Sequence, residues 1–112
     1  MKIAVPLHEG RLSAHFGHCS QFAVVEADPQ TKTILRTQTL TPPAHEPGVL
    51  PQWLSQMQVS KVIAGGMGQR AQQIFQQKNI EVIVGAPCQT PEELVQSYLN
   101  GTLEYGQNVC DH

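Results

Sequence analysis

The segment Ser13-Ala14-His15-Phe16-Gly17-His18-Cys19 places two of the chain's five histidines and one of its three cysteines within five residues. Imidazole nitrogen and thiolate sulfur are the donors that soft and borderline metals prefer. The same donor types recur at His45-Glu46-Pro47-Gly48 and at Cys110-Asp111-His112. The candidate metal ligands are therefore His15, His18, Cys19, His45, Cys110 and His112. Three donors on one loop rarely complete a metal's shell, so the tail and the His45 turn would have to close over it. A closed tetrahedral zinc site would use Cys19 and Cys110 with two of the histidines. A carrier would keep fewer protein ligands and an exchangeable face. Thiolates favour copper(I), zinc or iron–sulfur fragments over magnesium or calcium, and the sequence does not choose among them. The competing reading is structural: His15 caps a strand end and Cys19 is simply buried. His8 is a weak candidate, and Cys88, after Gly85-Ala86-Pro87, reads as a structural thiol.

A second constellation is Gly65-Gly66-Met67-Gly68 with Arg70. Glycines between a strand and a helix let backbone N–H groups approach an anion at the helix N-terminus. Arg70 would add charge-assisted hydrogen bonds. Gly65, Gly66, Gly68 and Arg70 are thus the candidate cofactor-binding set. The spacing matches neither the dinucleotide fingerprint nor the P-loop. A tight turn with close helix–sheet packing explains these glycines equally well. If the ligand is an anionic metal–sulfur cluster, the loop amides hold its charge while His or Cys anchors its metal.

The elements that must position these residues change period halfway along the chain. Ile3 to Leu7, Phe22 to Glu26 and Ile34 to Leu40 read as strands, the last two joined as a hairpin by Asp28-Pro29-Gln30-Thr31-Lys32. Pro51 opens a short helix with Trp53, Leu54 and Met57 at helical spacing. Val59 to Ala64 is strand-like, Gln69 to Lys78 helical, and Ile80 to Val84 strand-like again. Thr90-Pro91-Glu92-Glu93 is a capping box, and Asn100-Gly101 stops the helix it starts. The expected order is β-β-β-α-β-α-β-α: an α/β fold with a mixed sheet of about five strands flanked by helices. One domain is expected over 1–104, with a tail over 105–112 that carries ligands and orders only if something binds it. A tail bridging to a second copy would make a homodimer.

The totals exclude several classes. A chain of 112 residues suits one domain and can bury a core without disulfides. With 7 basic and 9 acidic residues, a net charge of -2 gives no electrostatic case for nucleic acid. No apolar run approaches the roughly 18 residues of a membrane span. The N-terminus lacks a signal-peptide h-region, and three cysteines are an odd number, two of them near histidines. A cytoplasmic protein with reduced thiols is expected.

Met1-Lys2-Ile3-Ala4-Val5-Pro6, His15-Phe16-Gly17, Val62-Ile63-Ala64-Gly65-Gly66-Met67-Gly68 and the closing Tyr98-Leu99-Asn100-Gly101 together resemble the dinitrogenase iron–molybdenum cofactor biosynthesis family. The resemblance spans nearly the whole chain. It implies a ribonuclease-H-like fold and a role as carrier or accessory factor for iron- or molybdenum-type clusters, alongside cofactor-assembly proteins. His18-Cys19, the His45 turn and the Cys110-Asp111-His112 ending look like a stand-alone subgroup. No radical-SAM domain accompanies them, so the resemblance is to the binding domain and not to a cofactor-building enzyme. Nuclease chemistry is not expected, because Glu26 and Glu81 form no acidic cluster and a fold does not carry a function with it. The competing class is a sensor that takes a small anion or nucleotide at the Gly65–Gly68 loop.

Overall fold

The computed structural model describes residues 1–14, 16, 19–43 and 48–105. Six strands and three helices lie among them, in the order β-β-β-β-α-β-α-β-α. The strands are β1 (Lys2–His8), β2 (Arg11–Leu12), β3 (Gln21–Asp28), β4 (Thr33–Leu40), β5 (Lys61–Ile63) and β6 (Glu81–Ile83). The helices are α1 (Val49–Gln56), α2 (Gln69–Gln77) and α3 (Pro91–Asn100). Side by side the strands run β4-β3-β1-β5-β6, with β2 paired to β1 off this path. The β4-β3-β1 half is antiparallel and the β1-β5-β6 half is parallel.

Burial follows from that position in the sheet. In β1, Ile3, Val5 and Leu7 face one side and join Leu94, Val95 and Leu99 of α3 in one core layer. Ala4 faces the other side, in a layer with Phe22, Val24 and Val62 that packs on Leu50 and Leu54 of α1 and Phe75 of α2. A strand covered on both faces needs apolar residues at successive positions, which explains the unbroken runs of β1 and β3. At the edge, β4 is exposed over most of its length, and none of its residues is buried. No helix among the described residues is long and apolar enough to cross a membrane.

Two elements depart from the sequence expectation. The residues after β1 turn back as β2, a sixth strand that five-strand counting omits. Glu9 and Gly10 both take positive φ (54° and 81°), and His8 pairs directly with Arg11 across this two-residue turn. Paired positive φ angles match the twist of a tight hairpin. In addition, α1 starts at Val49 and not at Pro51. Gly48 caps it in the left-handed region at φ 83°, so Pro51 falls within the first turn, where its missing N–H costs nothing.

Two local expectations hold in atomic detail. The Asp28 carboxylate accepts the Gln30 amide at 2.9 Å and closes the β3–β4 turn, and these bonds hold the carboxyl below its ordinary range. At α3, Thr90 Oγ1 accepts the Glu93 amide at 3.3 Å while Glu93 Oε1 accepts the Thr90 amide at 3.1 Å. Thr90→Ala is expected to lower stability by about 1 kcal/mol in urea unfolding. The Glu93 carboxyl sits below its usual range because the Thr90 amide and hydroxyl donate to it. Its share of the cap is therefore whole above the range of a free glutamate and is lost as pH falls through the depressed value. A Glu93→Gln variant should flatten that acid limb.

Candidate functional site

The site grows from how β1 is partnered. On one side β3 runs beside it from Lys2 to Leu7. On the other side β5 pairs only with Ile3 and Ala4, and β2 then pairs with Leu7 and His8. Pro6, which has no N–H for a ladder, stands between those two stretches. The chain leaves β1 toward β3 and β4, then crosses back through α1 to β5. Such a reversal opens a crevice outside the carboxyl ends of the strands, where α/β folds bind ligands.

Three segments meet there, following β2, β5 and β6. The Phe16 amide donates to the Gly66 carbonyl at 2.9 Å, and the Gly85 amide to the Gly65 carbonyl at 2.8 Å. The Ser13 amide donates to Pro6, the Ser20 amide to Leu7 and the Leu12 amide to Gln89, each within 2.9 Å. The glycine loop is the tightest point of this lacing. A Cβ on Gly65 would lie 3.1 Å from the Ser13 carbonyl oxygen and 3.3 Å from that of Ala14. Gly65 and Gly66 are buried and their carbonyls are engaged. Gly68 caps α2 with open space around it, and Arg70 is exposed on the first turn of that helix. The four residues grouped by sequence thus divide into a packed pair and an open pair.

Of the six metal-ligand candidates, His15, His18, His45, Cys110 and His112 lie outside the described residues. Cys19 is 5% exposed and sits in the core layer with Phe22 and Phe75. Burial pushes its thiol up to about 11, partly offset by a backbone hydrogen bond. In this setting the thiol keeps its proton at neutral pH, and a bound metal would have to displace it. Phe16 is 7% exposed, with its ring edge-on to Phe22 (5.8 Å) and to Phe75 (5.5 Å). Phe22 in turn meets Trp53 at 5.7 Å. The loop is therefore tied to the core through the residues at 16 and 19, and to β5 through the Gly66 carbonyl. Among the described residues, no three His, Cys, Asp or Glu side chains come together closely enough to hold a metal ion.

Beside this lacing is a cleft of about 620 Å³ lined by His8, Glu9, Arg11, Leu12, Ser13, Ala14 and Cys88. His8 and Glu9 approach to 4.0 Å, both exposed. Cys88 is exposed, and its Sγ donates to the Leu12 carbonyl at 3.6 Å. His8 and Cys88 carry little weight in the sequence, yet each stands just past or at the carboxyl end of a parallel strand. That position is the signal that singles them out.

A family model described as dinitrogenase iron-molybdenum cofactor matches residues 1–101. The chain is 33% identical over 108 residues to the uncharacterized protein MJ0580 of Methanocaldococcus jannaschii, covering 93% of this chain and 90% of that protein. In fold it is similar to the crystal structure of PH0822, with a TM-score of 0.83 at 23% identity over 95% of this chain and 96% of that one. It is also similar to the apo form of the orange protein from Desulfovibrio gigas, with a TM-score of 0.72 at 23% identity over 96% and 93% of the two chains.

Proposed function

Because the chain belongs to the dinitrogenase iron–molybdenum cofactor family, we propose that it is a carrier or accessory protein whose cargo is a metal ion or an iron- or molybdenum-type cluster. The observation that supports this most directly is the anchoring of the His15–Cys19 loop at the strand-end crevice. Phe16 fastens it to the aromatic core and Gly66 fastens its backbone. On this reading His15 and His18, each next to one of the anchors at 16 and 19, supply imidazole donors. Cys19 joins them only by yielding its proton to the cargo. His45, Cys110 and His112 are the further donors this reading calls on to complete the shell. Gly68 and Arg70, open at the head of α2, hold the charge of an anionic cargo. The protein acts here by holding and handing over, not by catalysis, and cofactor-assembly proteins are the natural recipients. The antiparallel hairpin beside a parallel half-sheet supports the ribonuclease-H-like description, which brings no nuclease chemistry with it.

The test is metal retention. Protein purified anaerobically with zinc, iron, copper and molybdate supplied should hold one of them near stoichiometry by elemental analysis. The His15→Ala, Cys19→Ala double variant should lose it, with a thermal melt confirming that the chain still folds. Equal retention in the double variant would move the site elsewhere, and a metal-free wild type would remove most support for the carrier reading. Gly68 and Arg70 also support a second reading, a small-anion sensor. In that case Arg70→Ala weakens anion binding and leaves metal content unchanged.

A further inference from the structure

We infer that the exposed edge of β4 is a self-association surface: a second copy of the chain pairs with it antiparallel, about a two-fold axis at Gln38. The two sheets then continue into one. The inference does not rest on the cargo reading, because β3 separates β4 from the β1 and β5 strands that form the crevice. The backbone dictates which groups are free to pair. Met1 and Ala27 exchange both hydrogen bonds, the Met1 amino group donating at 3.2 Å and the Ala27 amide at 2.8 Å. Bonding alternates along an antiparallel ladder, so Val25 and Ala23 also bond toward β1, and Phe22, Val24 and Glu26 bond toward β4. Their partners there are Leu40, Gln38 and Arg36. Thr37 and Thr39 therefore turn their N–H and C=O groups away from β3, to a side where no strand among the described residues lies.

Sheet edges are normally blunted by shortness, lysine, proline or a bulge. The opposite edge, β6, has 3 residues and begins with Glu81. The β4 edge has 8 residues and contains neither lysine nor proline. Its one irregularity is a bulge at Leu35, where the register with β3 shifts between Glu26 and Ala27, and this leaves Arg36 to Leu40 regular. The symmetry of that regular run is what fits a second copy. Thr37-Gln38-Thr39 reads the same in both directions, and a two-fold interface sets residue i against j and j against i. An axis at Gln38 places each Thr37 opposite the second copy's Thr39, so the outward backbone groups of both threonines find partners. The two Gln38 side chains meet at the axis. Arg36, the only charge in β4, falls opposite the second copy's Leu40. Its stem covers apolar surface there, and no like charge faces it. Leu35, 65% exposed, lies at the margin of this seam.

A seam as short as Arg36 to Leu40 is small, so association is expected as a concentration-dependent equilibrium. Sedimentation velocity of the full chain, from about 10 μM to about 1 mM, should show monomer passing to dimer. Over the same range the Thr37 and Thr39 amides should slow in hydrogen exchange, while the Gln38 amide, already bonded to β3, stays constant. Thr37→Pro removes an outward N–H that the β3–β4 ladder does not use, a change an edge strand tolerates. It should leave the chain folded by far-ultraviolet circular dichroism and monomeric throughout. Gln38→Lys or Gln38→Glu sets like charges together at the axis and should weaken the dimer by about fivefold. An equimolar mixture of those two variants should recover it as a heterodimer. A wild type that stays monomeric at about 1 mM overturns the inference, as does a dimer that neither Thr37→Pro nor Gln38→Lys weakens. A mixture that fails to recover the dimer overturns the axis at Gln38. None of these results touches metal retention, on which the carrier reading stands or falls separately.

Discussion

Phe75→Ala is expected to destabilise the protein by about 3–5 kcal/mol, read as a shift in the urea midpoint at unchanged slope. The ring is fully buried and meets Phe16 edge-on at 5.5 Å. Removing it leaves a cavity between α2 and the sheet that its neighbours fill only in part. The loss should also reach the site, because Phe16 is the ring that ties the His15–Cys19 loop to the core. Phe75→Leu keeps most of the volume and should cost much less. A cost below about 1 kcal/mol for the alanine variant would mean that the cavity collapses and that the aromatic row does not anchor the loop.

Gly65→Ala is the second large effect, expected at about 1–3 kcal/mol through overpacking. The atoms a new Cβ would meet are backbone carbonyl oxygens of Ser13 and Ala14, at 3.1 and 3.3 Å, and they cannot rotate away as a side chain would. Relief requires the 13–16 segment to lift from β5, which stretches the 2.9 Å bond from the Phe16 amide to Gly66. Stability should therefore fall in this variant, and on the proposed carrier reading metal retention should fall with it. Gly68→Ser is the contrast: the position is open and merely caps α2, so the change should stay within about 0.5 kcal/mol. If Gly65→Ala behaved like Gly68→Ser, the loop would not be pressed onto β5 at all.

The parts of the fold that rest on local pattern were legible. The apolar runs of β1 and β3, the Asp28 turn and the Thr90–Glu93 capping box each carry their own signal within a few residues. β2 does not, since it is two residues long and exists only because Glu9 adopts a positive φ that its side chain does not advertise. The start of α1 is hidden in the sequence for a related reason. Gly48 caps from the left-handed region, while proline at 51 looks like a first residue.

The site was less legible because its logic is nonlocal. Gly65 has to be glycine on account of carbonyls some fifty positions earlier, which no window around Gly65 contains. His8 and Cys88 become neighbours of one cleft only once β1 and β6 lie in the same sheet. Cys19 looks like an available ligand in sequence, and burial in an aromatic layer makes it a protonated thiol first.

The two-handed partnering of β1 also sets an order of assembly. Its pairing with β3, and that of β3 with β4, closes through short connections, whereas joining β5 brings together residues as much as 58 positions apart, as between Lys2 and Ser60. Chain closure over that span carries the larger entropic penalty, so the antiparallel meander is expected to form first and the parallel half to dock later. The crevice belongs to the late half. A weakened molecule would therefore keep its hairpins while losing the seam between β1 and β5, and on the proposed carrier reading it would release its cargo well before it unfolded.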